Sequence, residues 1–235
     1  FALLYGEDPE NVTGECYGLN HLSFFNSIRF GEKEMLPTLL ADDRIYTQTD
    51  MRFFSKELAQ KLGYGLNEYL YYFFYREQSV ENIIRSGYTR GEQIRDVNRH
   101  MIEELSQMDP EKDLEACLKT YVKWQGQRSA MYMKNESGGI ERPDEFTFDL
   151  YSRDDGGYAG VALQFIRACR LGKETQMIFC VPNGDAIPGL EKDDVVEISC
   201  TITPDGVYHP HPIKDPGEIP MEIIRRVKIY ERYAS

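Results

Sequence analysis

The stretch QMIFCVPNGDAIPGLEKDDVVEISCTI, residues 176–202, contains two strand-like runs on either side of a turn sequence. The runs QMIFCV and VVEISCTI, residues 176–181 and 195–202, are rich in the β-branched residues that favour strands. Asn183-Gly184 between them is a typical turn dipeptide. We therefore expect two strands joined by this connection.

Helical patterns lie on both sides of these predicted strands. Before them, GGYAGVALQFIRACRLG at residues 156–172 is predicted to form a helix that ends at Gly172, because glycine readily takes the left-handed conformation that follows many last turns. After them, IPMEIIRRVKIYERYA at residues 219–234 has apolar residues at helical spacing. Two helices are therefore expected to flank the two strands.

The N-terminal half adds one predicted strand and three predicted helices. LSFFNSIRF at residues 22–30 alternates weakly and is interpreted as a strand, and FFSKELAQKLG at residues 53–63 as a short amphipathic helix. Thr89 and Glu92 have capping-box spacing, and Asp109 followed by proline offers a further helix start. With no internal repeat and no linker, the sequence predicts a helix-rich α+β fold.

The composition excludes several classes of protein. Lys and Arg number 27 against 39 Asp and Glu, and the resulting net charge of −12 repels phosphate backbones and anionic membrane surfaces. We therefore expect no nucleic-acid or membrane partner. The five cysteines have no disulfide-framework spacing, which favours a reducing, cytoplasmic compartment. No apolar stretch approaches the roughly 20 residues of a membrane-spanning helix.

Cys16 and His21, in GECYGLNHLSFF, are both able to bind a metal ion. A thiolate and an imidazole suit borderline-soft divalent metals. A spacing of 21 − 16 = 5 residues, however, places them on different faces of a helix or strand, so they could converge only at a turn. A histidine in an apolar run is also more often a core residue than a ligand. Of the others, His100 is interpreted as a helix-rim residue, and YHPHP at residues 208–212 as a solvated loop.

Two further features have a structural and a functional interpretation. The aromatic run NEYLYYFFYRE, residues 67–77, is typical of core packing, but a tyrosine can act as a general base when a cation lowers its pKa from about 10. The run itself does not indicate which tyrosine would do so. Arg90 falls in the first turn of the capped helix, where free N–H groups favour an anion. An exposed arginine on a loop is the alternative.

Six motifs span almost the whole chain: YGLNHLSFF, NEYLYYFFY, YTRGEQI, DDGGYAGVALQFIRA, VPNGDAIPGLEKDDVVEISC and RRVKIYE. In this order and approximate spacing they together resemble the C-terminal domain of glycoside hydrolase family 4. GLNHLSFF and NEYLYYFFY are most similar to the 6-phospho-β-glucosidase branch of that family.

The resemblance implies a C-terminal domain of the lactate/malate dehydrogenase-like type. It also implies a reaction that depends on NAD and on Mn²⁺ or another divalent metal, an exception to hydrolysis by paired carboxylates. In that reaction NAD accepts hydride from C3 of the sugar, and a base removes the acidified C2 proton while the metal stabilises the enediolate. Elimination expels the aglycone, water adds at C1, and hydride returns to C3.

The resemblance assigns roles to residues at matching positions. His21 in GLNH matches the metal-ligating histidine, and Asn20 beside it is expected to touch substrate or metal. The family's second metal ligand is a cysteine about thirty residues before this histidine, so Cys16 is not that ligand and the matching position precedes residue 1. Cys16 is interpreted as a small apolar neighbour.

The catalytic base and a substrate contact are assigned in the same way. Tyr69, 69 − 21 = 48 residues after the histidine, matches the tyrosine base of the family. Tyr71 and Tyr72 are the alternatives that a shift in alignment would select. Arg90 in TRGEQ matches an arginine expected at the substrate, where it could hold the sugar phosphate or lower the pKa of the tyrosine.

The chain contains no GxGxxG motif between a strand and a helix, so no NAD-binding residue is assigned to it. From the start FALLYG, interpreted as the last helical turn before Gly6, we expect a fragment that lacks an N-terminal Rossmann domain and is inactive alone. Residues 1–18 are expected to be the end of that domain and its connection, and residues 19–235 the catalytic and substrate domain.

The expected substrate is a phosphorylated disaccharide or aryl glycoside, and the expected assembly is a homodimer or homotetramer. Two alternatives remain open. The first is the same chemistry on a 6-phospho-α-glucoside, an α-galactoside or a uronide. The second is a non-catalytic dimerisation module.

Overall fold

The computed structural model describes residues 1–141 and 157–234, and the chain divides into two compact units. The sheet unit comprises Phe1–Tyr71 and Arg153–Ser235, and the helical unit comprises Tyr72–Ser152. Strands and helices are both present, as the α+β prediction requires.

All described strands belong to the sheet unit. They are β1 Val12–Leu19, β2 Leu22–Phe30, β3 Lys33–Glu34, β4 Gly65–Leu66, β5 Thr175–Pro182, β6 Val195–Ile202 and β7 Tyr208–Pro210. The described α-helices, in chain order, are α1 Ala2–Tyr5, α2 Leu36–Ala41, α3 Ile45–Gln48, α4 Lys56–Leu62, α5 Tyr71–Phe74, α6 Arg76–Ser86, α7 Arg90–Leu105, α8 Leu114–Ala130, α9 Gly157–Leu171 and α10 Glu218–Ala234. None of these helices is long and apolar enough to cross a membrane.

The strands form one antiparallel sheet in the order β3-β2-β1-β6-β5, with β4 added to β2 and β7 to β6. The predicted strands at residues 22–30, 176–181 and 195–202 are confirmed as β2, β5 and β6. The predicted helices before and after the β5–β6 pair are confirmed as α9 and α10, and α4 confirms the short amphipathic helix. Strands β1, β3, β4 and β7 were not predicted; in β1, glycines interrupt the strand pattern.

The centre of the sheet is held together by buried side chains on adjacent strands. Phe24, Tyr17 and Ile198 are register partners across β2, β1 and β6, and all three are fully buried. The closing helix α10 buries Ile223 and Ile224. Removal of these large apolar surfaces from water is the main favourable contribution to folding of this unit.

One edge of β6 is shared between β1 and β7, and polar side chains fill the space where these two strands part. The Ser199 carbonyl accepts from the His211 N–H at 2.8 Å, and the Ser199 hydroxyl accepts from the Cys16 N–H at 2.9 Å. The His211 imidazole bridges the Glu15 carboxylate, 2.8 Å from Nδ1, and the Thr201 hydroxyl, 2.8 Å from Nε2. The interpretation of YHPHP as a solvated loop is therefore wrong. Tyr208–Pro210 form β7, and His211 provides partners for polar groups where the strands part.

Helix α7 of the helical unit begins with the predicted capping box. The Thr89 hydroxyl accepts from the Glu92 N–H at 3.3 Å, and the Glu92 carboxylate accepts from the Thr89 N–H at 2.8 Å. The predicted helix start at Asp109 is wrong. Its side chain accepts from the Glu111 N–H and closes a turn, and α8 begins only after Asp113, whose side chain accepts from the Ala116 N–H.

We expect Thr89→Ala to lower the free energy of unfolding by about 1 kcal/mol at pH 7, as loss of an N-cap does in other helices. Hydrogen bonds from Thr89 lower the pKa of Glu92, so this carboxylate stabilises the fold above its unfolded-state pKa of about 4.3 and loses that contribution as the pH falls. The loss of unfolding free energy caused by Thr89→Ala should therefore be smaller at pH 3 than at pH 7, as measured by denaturant titration at both pH values. Thr89→Ser, which keeps the hydroxyl, is the control; an equal loss in both variants would contradict the role of the cap.

Candidate active site

Asn20 and His21 form the two-residue turn between β1 and β2. Leu19 pairs with Leu22 across the ladder, so only Asn20 and His21 lie outside it, and both are exposed. His21 has φ of 69°, the left-handed region in which a residue other than glycine is uncommon. Backbone strain of this kind is concentrated at functional sites. The turn thus presents an amide and an imidazole side by side at one end of the sheet.

Strand β4 brings Tyr69 to this turn. β4 pairs with β2 at Phe24 and Phe25, and the next residue, Asn67, donates its N–H to the Ser23 carbonyl at 3.2 Å. The Asn67 side-chain oxygen then accepts from the Tyr69 N–H at 3.0 Å and starts a short 3-10 helix. Residues 65–67 therefore run antiparallel to β2, towards the β1–β2 turn, and Tyr69 follows them to that turn.

The rings of His21 and Tyr69 are in contact. Their centroids are 4.6 Å apart and their planes are inclined by 36°. Tyr69 is half-buried, whereas His21 is exposed. Two of the predicted site residues, 48 positions apart in sequence, therefore meet in the sheet unit, and Asn20 is adjacent to one of them.

The two alternative tyrosines have different surroundings. Tyr71 is 2% exposed and packs edge-on against Phe53, with ring centroids 6.0 Å apart. Tyr72 is 36% exposed and is the first residue of the helical unit. The core-packing interpretation of the aromatic run therefore describes Tyr71, while Tyr69 faces the His21 turn.

Cys16 is unsuited to metal binding. Its side chain is 1% exposed within β1, whereas His21 lies in the turn beyond the end of that strand. Burial is the main cause that raises the pKa of the Cys16 thiol to about 12, and a metal is bound by the thiolate. The interpretation of Cys16 as a small apolar neighbour agrees with this environment.

The described residues do not hold a complete metal site. Among residues 1–141 and 157–234, no group of three or more His, Cys, Asp or Glu side chains could hold an ion. His21 supplies one exposed imidazole, which fits a single ligand of a divalent transition metal. A site built from three or more such side chains would therefore need residues outside this part of the chain.

Arg90 belongs to the helical unit and is therefore not among the residues that the sheet unit brings together. It is the first residue of α7 and is half-buried, so the alternative of an exposed arginine on a loop is wrong. Its Nη2 donates to the Arg128 carbonyl at 3.0 Å, and its guanidinium lies 5.9 Å from the centre of the Tyr132 ring. Burial lowers the pKa of Arg90, and the nearby Glu136 carboxylate opposes that effect.

Asn67 is a residue of the site that the sequence analysis missed. Its side chain fixes the backbone at Tyr69, two residues later, by an Asx-type hydrogen bond. The signal was present in the sequence, because asparagine is a preferred residue immediately before a helical turn. The importance of Asn67 could be recognised only once the helical turn after it was known to contain Tyr69.

Comparison with known proteins identifies the family. The chain matches the model of the Family 4 glycosyl hydrolase C-terminal domain over residues 16–235. A search of curated protein sequences finds no significant match.

Solved structures share the fold at low sequence identity. The 6-phospho-β-glucosidase of Thermotoga maritima with manganese, NAD⁺ and glucose-6-phosphate has a TM-score of 0.66 and 19% identity, over 98% of this chain and 46% of that one. A 6-phospho-α-glucosidase from gut microorganisms, in complex with NAD and Mn²⁺, has a TM-score of 0.61 and 16% identity, over 96% and 47%. The chain thus spans about half the length of these proteins.

The family match covers nearly the whole chain, and the shared fold agrees with it. Both confirm the family resemblance and the α+β C-terminal fold expected from the motifs. This chain therefore belongs to glycoside hydrolase family 4 and carries the C-terminal domain of that family.

Proposed function

We propose that this chain is the substrate-binding and proton-transfer part of a glycosidase that hydrolyses 6-phospho-β-glucosides with NAD and a divalent metal ion. The observation that carries the proposal is the contact between His21 and Tyr69 at 4.6 Å between ring centroids. Membership of family 4 supports the glycosidase class. The 6-phospho-β-glucoside is favoured because GLNHLSFF and NEYLYYFFY are most similar to that branch.

In this proposal Tyr69 is the catalytic base that removes the proton from C2 of the sugar. When bound, NAD and a divalent metal would supply a hydride acceptor and a Lewis acid, which make that proton acidic. A tyrosine has an ordinary pKa of about 10, so its phenolate needs a nearby positive charge. The exposed imidazole of His21 is in contact with the Tyr69 ring and could hold a cation beside it.

Two further residues are proposed to bind the substrate. Asn20, adjacent to His21 in the exposed turn, offers both a donor and an acceptor for sugar hydroxyls. Arg90 is proposed to hold the sugar phosphate, because its planar guanidinium matches phosphate oxygens. Its half-buried position at the start of α7 adds the N-terminal field of a helix to its own charge.

The natural protein that carries these 235 residues should cleave an aryl 6-phospho-β-glucoside only when NAD and Mn²⁺ are both present. Because the proposed base removes the C2 proton, turnover in D₂O should place deuterium at C2 of the released sugar phosphate. Removal of the metal with a chelator should abolish both aglycone release and exchange. Cleavage that proceeds without NAD, metal and exchange would contradict the proposal. The 235-residue chain by itself is expected to be inactive.

Another glycoside is the main alternative, since solved proteins of this fold include a 6-phospho-β- and a 6-phospho-α-glucosidase. A panel of 6-phospho-β-glucoside, 6-phospho-α-glucoside, α-galactoside and uronide, compared by kcat/KM, distinguishes these substrates. A non-catalytic dimerisation module is the second alternative. It requires that His21→Ala and Tyr69→Phe leave the activity of the natural protein unchanged.

A further inference from the structure

Asn67 lies between strand β4 and the 3-10 helix Glu68–Leu70, and it is hydrogen-bonded in both directions. Its N–H donates to the carbonyl of Ser23 on β2 at 3.2 Å. Its side-chain oxygen accepts from the Tyr69 N–H at 3.0 Å, and its carbonyl accepts from the Leu70 N–H at 3.0 Å. This one residue therefore connects β2 to the backbone that carries Tyr69.

Packing alone does not determine the direction of the Tyr69 side chain. Leu66 and Leu70, on either side of it, are buried, and their packing fixes where the segment lies. The Glu68–Tyr69 peptide between them can still rotate, because the first N–H groups of a helical turn have no acceptor within that turn. The Asn67 side chain supplies the acceptor and holds this peptide in one orientation.

The orientation of this peptide decides where the Tyr69 ring lies. The ring is half-buried and contacts His21, with centroids 4.6 Å apart. A general base must come within about 2.6–3.2 Å of the group whose proton it removes, and a misplacement of about 1 Å can lower a rate by about 10²-fold. A residue that fixes the Tyr69 backbone can therefore control the rate without touching the substrate.

We propose that Asn67 is a positioning residue for proton transfer at C2 of the sugar. Its side-chain oxygen fixes the Glu68–Tyr69 peptide, and the fixed peptide holds the Tyr69 hydroxyl at the reacting carbon. Asn67 itself gives and takes no proton in this step and acts only through Tyr69. The inference rests on the proposed function, in which Tyr69 is the base.

Two other 3-10 helices of the sheet unit begin with the same kind of hydrogen bond. The Asp8 side chain accepts from the Glu10 N–H at 3.0 Å, and the Thr49 hydroxyl accepts from the Met51 N–H at 3.2 Å. A hydroxyl can therefore take the place of the amide oxygen in this fold. Asp8 precedes β1 and offers a matched cap at the end of that strand remote from His21.

Three variants of the natural protein test the effect on the rate. Asn67→Ala removes the side-chain acceptor, Asn67→Ser replaces it with a hydroxyl, and Asp8→Ala removes the matched cap. With an aryl 6-phospho-β-glucoside, Asn67→Ala should lower kcat by about 10–10²-fold and change KM little. Asn67→Ser should recover most of that loss, and Asp8→Ala should keep kcat within about 2-fold of the unmodified protein.

The position of the Tyr69 ring can also be measured without activity. The ring shifts the imidazole proton NMR signals of His21, because the two rings are in contact. These signals are identified by their loss in His21→Ala. They should move in Asn67→Ala, whereas in Asn67→Ser and Asp8→Ala they should stay close to those of the unmodified protein. Denaturant titration of each variant checks that the protein is folded under the conditions of measurement.

The results separate this inference from the proposed function. Unmoved His21 signals in Asn67→Ala overturn the inference. A kcat of Asn67→Ala equal to that of Asp8→Ala overturns it too, as does an Asn67→Ser variant as slow as Asn67→Ala. If any of these results is found while Tyr69→Phe still lowers kcat, the inference alone fails. If Tyr69→Phe leaves kcat unchanged, the proposed function fails and the inference fails with it.

Discussion

Tyr69→Phe is expected to lower kcat for an aryl 6-phospho-β-glucoside by about 10²–10⁴-fold, the usual contribution of a positioned general base. The substitution removes only the hydroxyl, so the ring can keep its contact with His21. KM and the dependence of the rate on Mn²⁺ concentration should therefore change little. Steady-state kinetics of the natural protein, with the rate of deuterium incorporation at C2, measures the effect on the proton-transfer step directly.

Tyr72→Phe is the matched control for this experiment. It removes the same atom from the same aromatic run, at a side chain that is 36% exposed and does not belong to the sheet unit. We expect less than about 2-fold change in kcat, as for most exposed substitutions. A large loss in Tyr72→Phe with none in Tyr69→Phe would assign the base to Tyr72. A loss in neither would favour a domain without a role in proton transfer.

The elements that the sequence predicted correctly are those with strong local signals. Thr89 and Glu92 make their capping box through contacts three residues apart, and Gly172 follows the last residue of α9 in the left-handed conformation. Local signals also explain the error at the start of α8. Asp109 and Asp113 are both suitable caps, and only the turn closed by Asp109 decides that the helix starts at the second.

The site was less accessible to sequence reasoning, because its contacts depend on strand pairing. His21 and Tyr69 come together only because β4 pairs with β2 and Asn67 then turns the chain. No periodicity within either motif contains that information, so the roles proposed for both residues came from the family resemblance. The Glu15–His211 hydrogen bond was missed for the same reason, since the two residues are far apart in the chain and meet only where β1 and β7 part.

Gly18→Ala is expected to lower the free energy of unfolding by more than about 3 kcal/mol, a loss characteristic of steric conflict with backbone. Gly18 precedes the Asn20–His21 turn and has φ of 150°, a conformation that L side chains rarely adopt. A Cβ atom there would lie 2.7 Å from the Ser23 Cα and in contact with the Leu22 carbonyl oxygen on the facing strand. These are backbone atoms of β2, so the ladder itself would have to move.

Gly31→Ala separates the cost of backbone conformation from this steric conflict. Gly31 also has a positive φ, 58°, but a Cβ atom there would meet nothing within 4 Å. Its replacement should therefore cost only about 1–2 kcal/mol, the penalty of the left-handed conformation. Denaturant titration of both variants measures the difference. If Gly18→Ala proves no more destabilising than Gly31→Ala, the close approach of β1 to β2 does not hold the turn in place. If the expected difference is found, the position of His21 depends on a glycine three residues before it, because any larger residue would push apart the two strands that the turn connects.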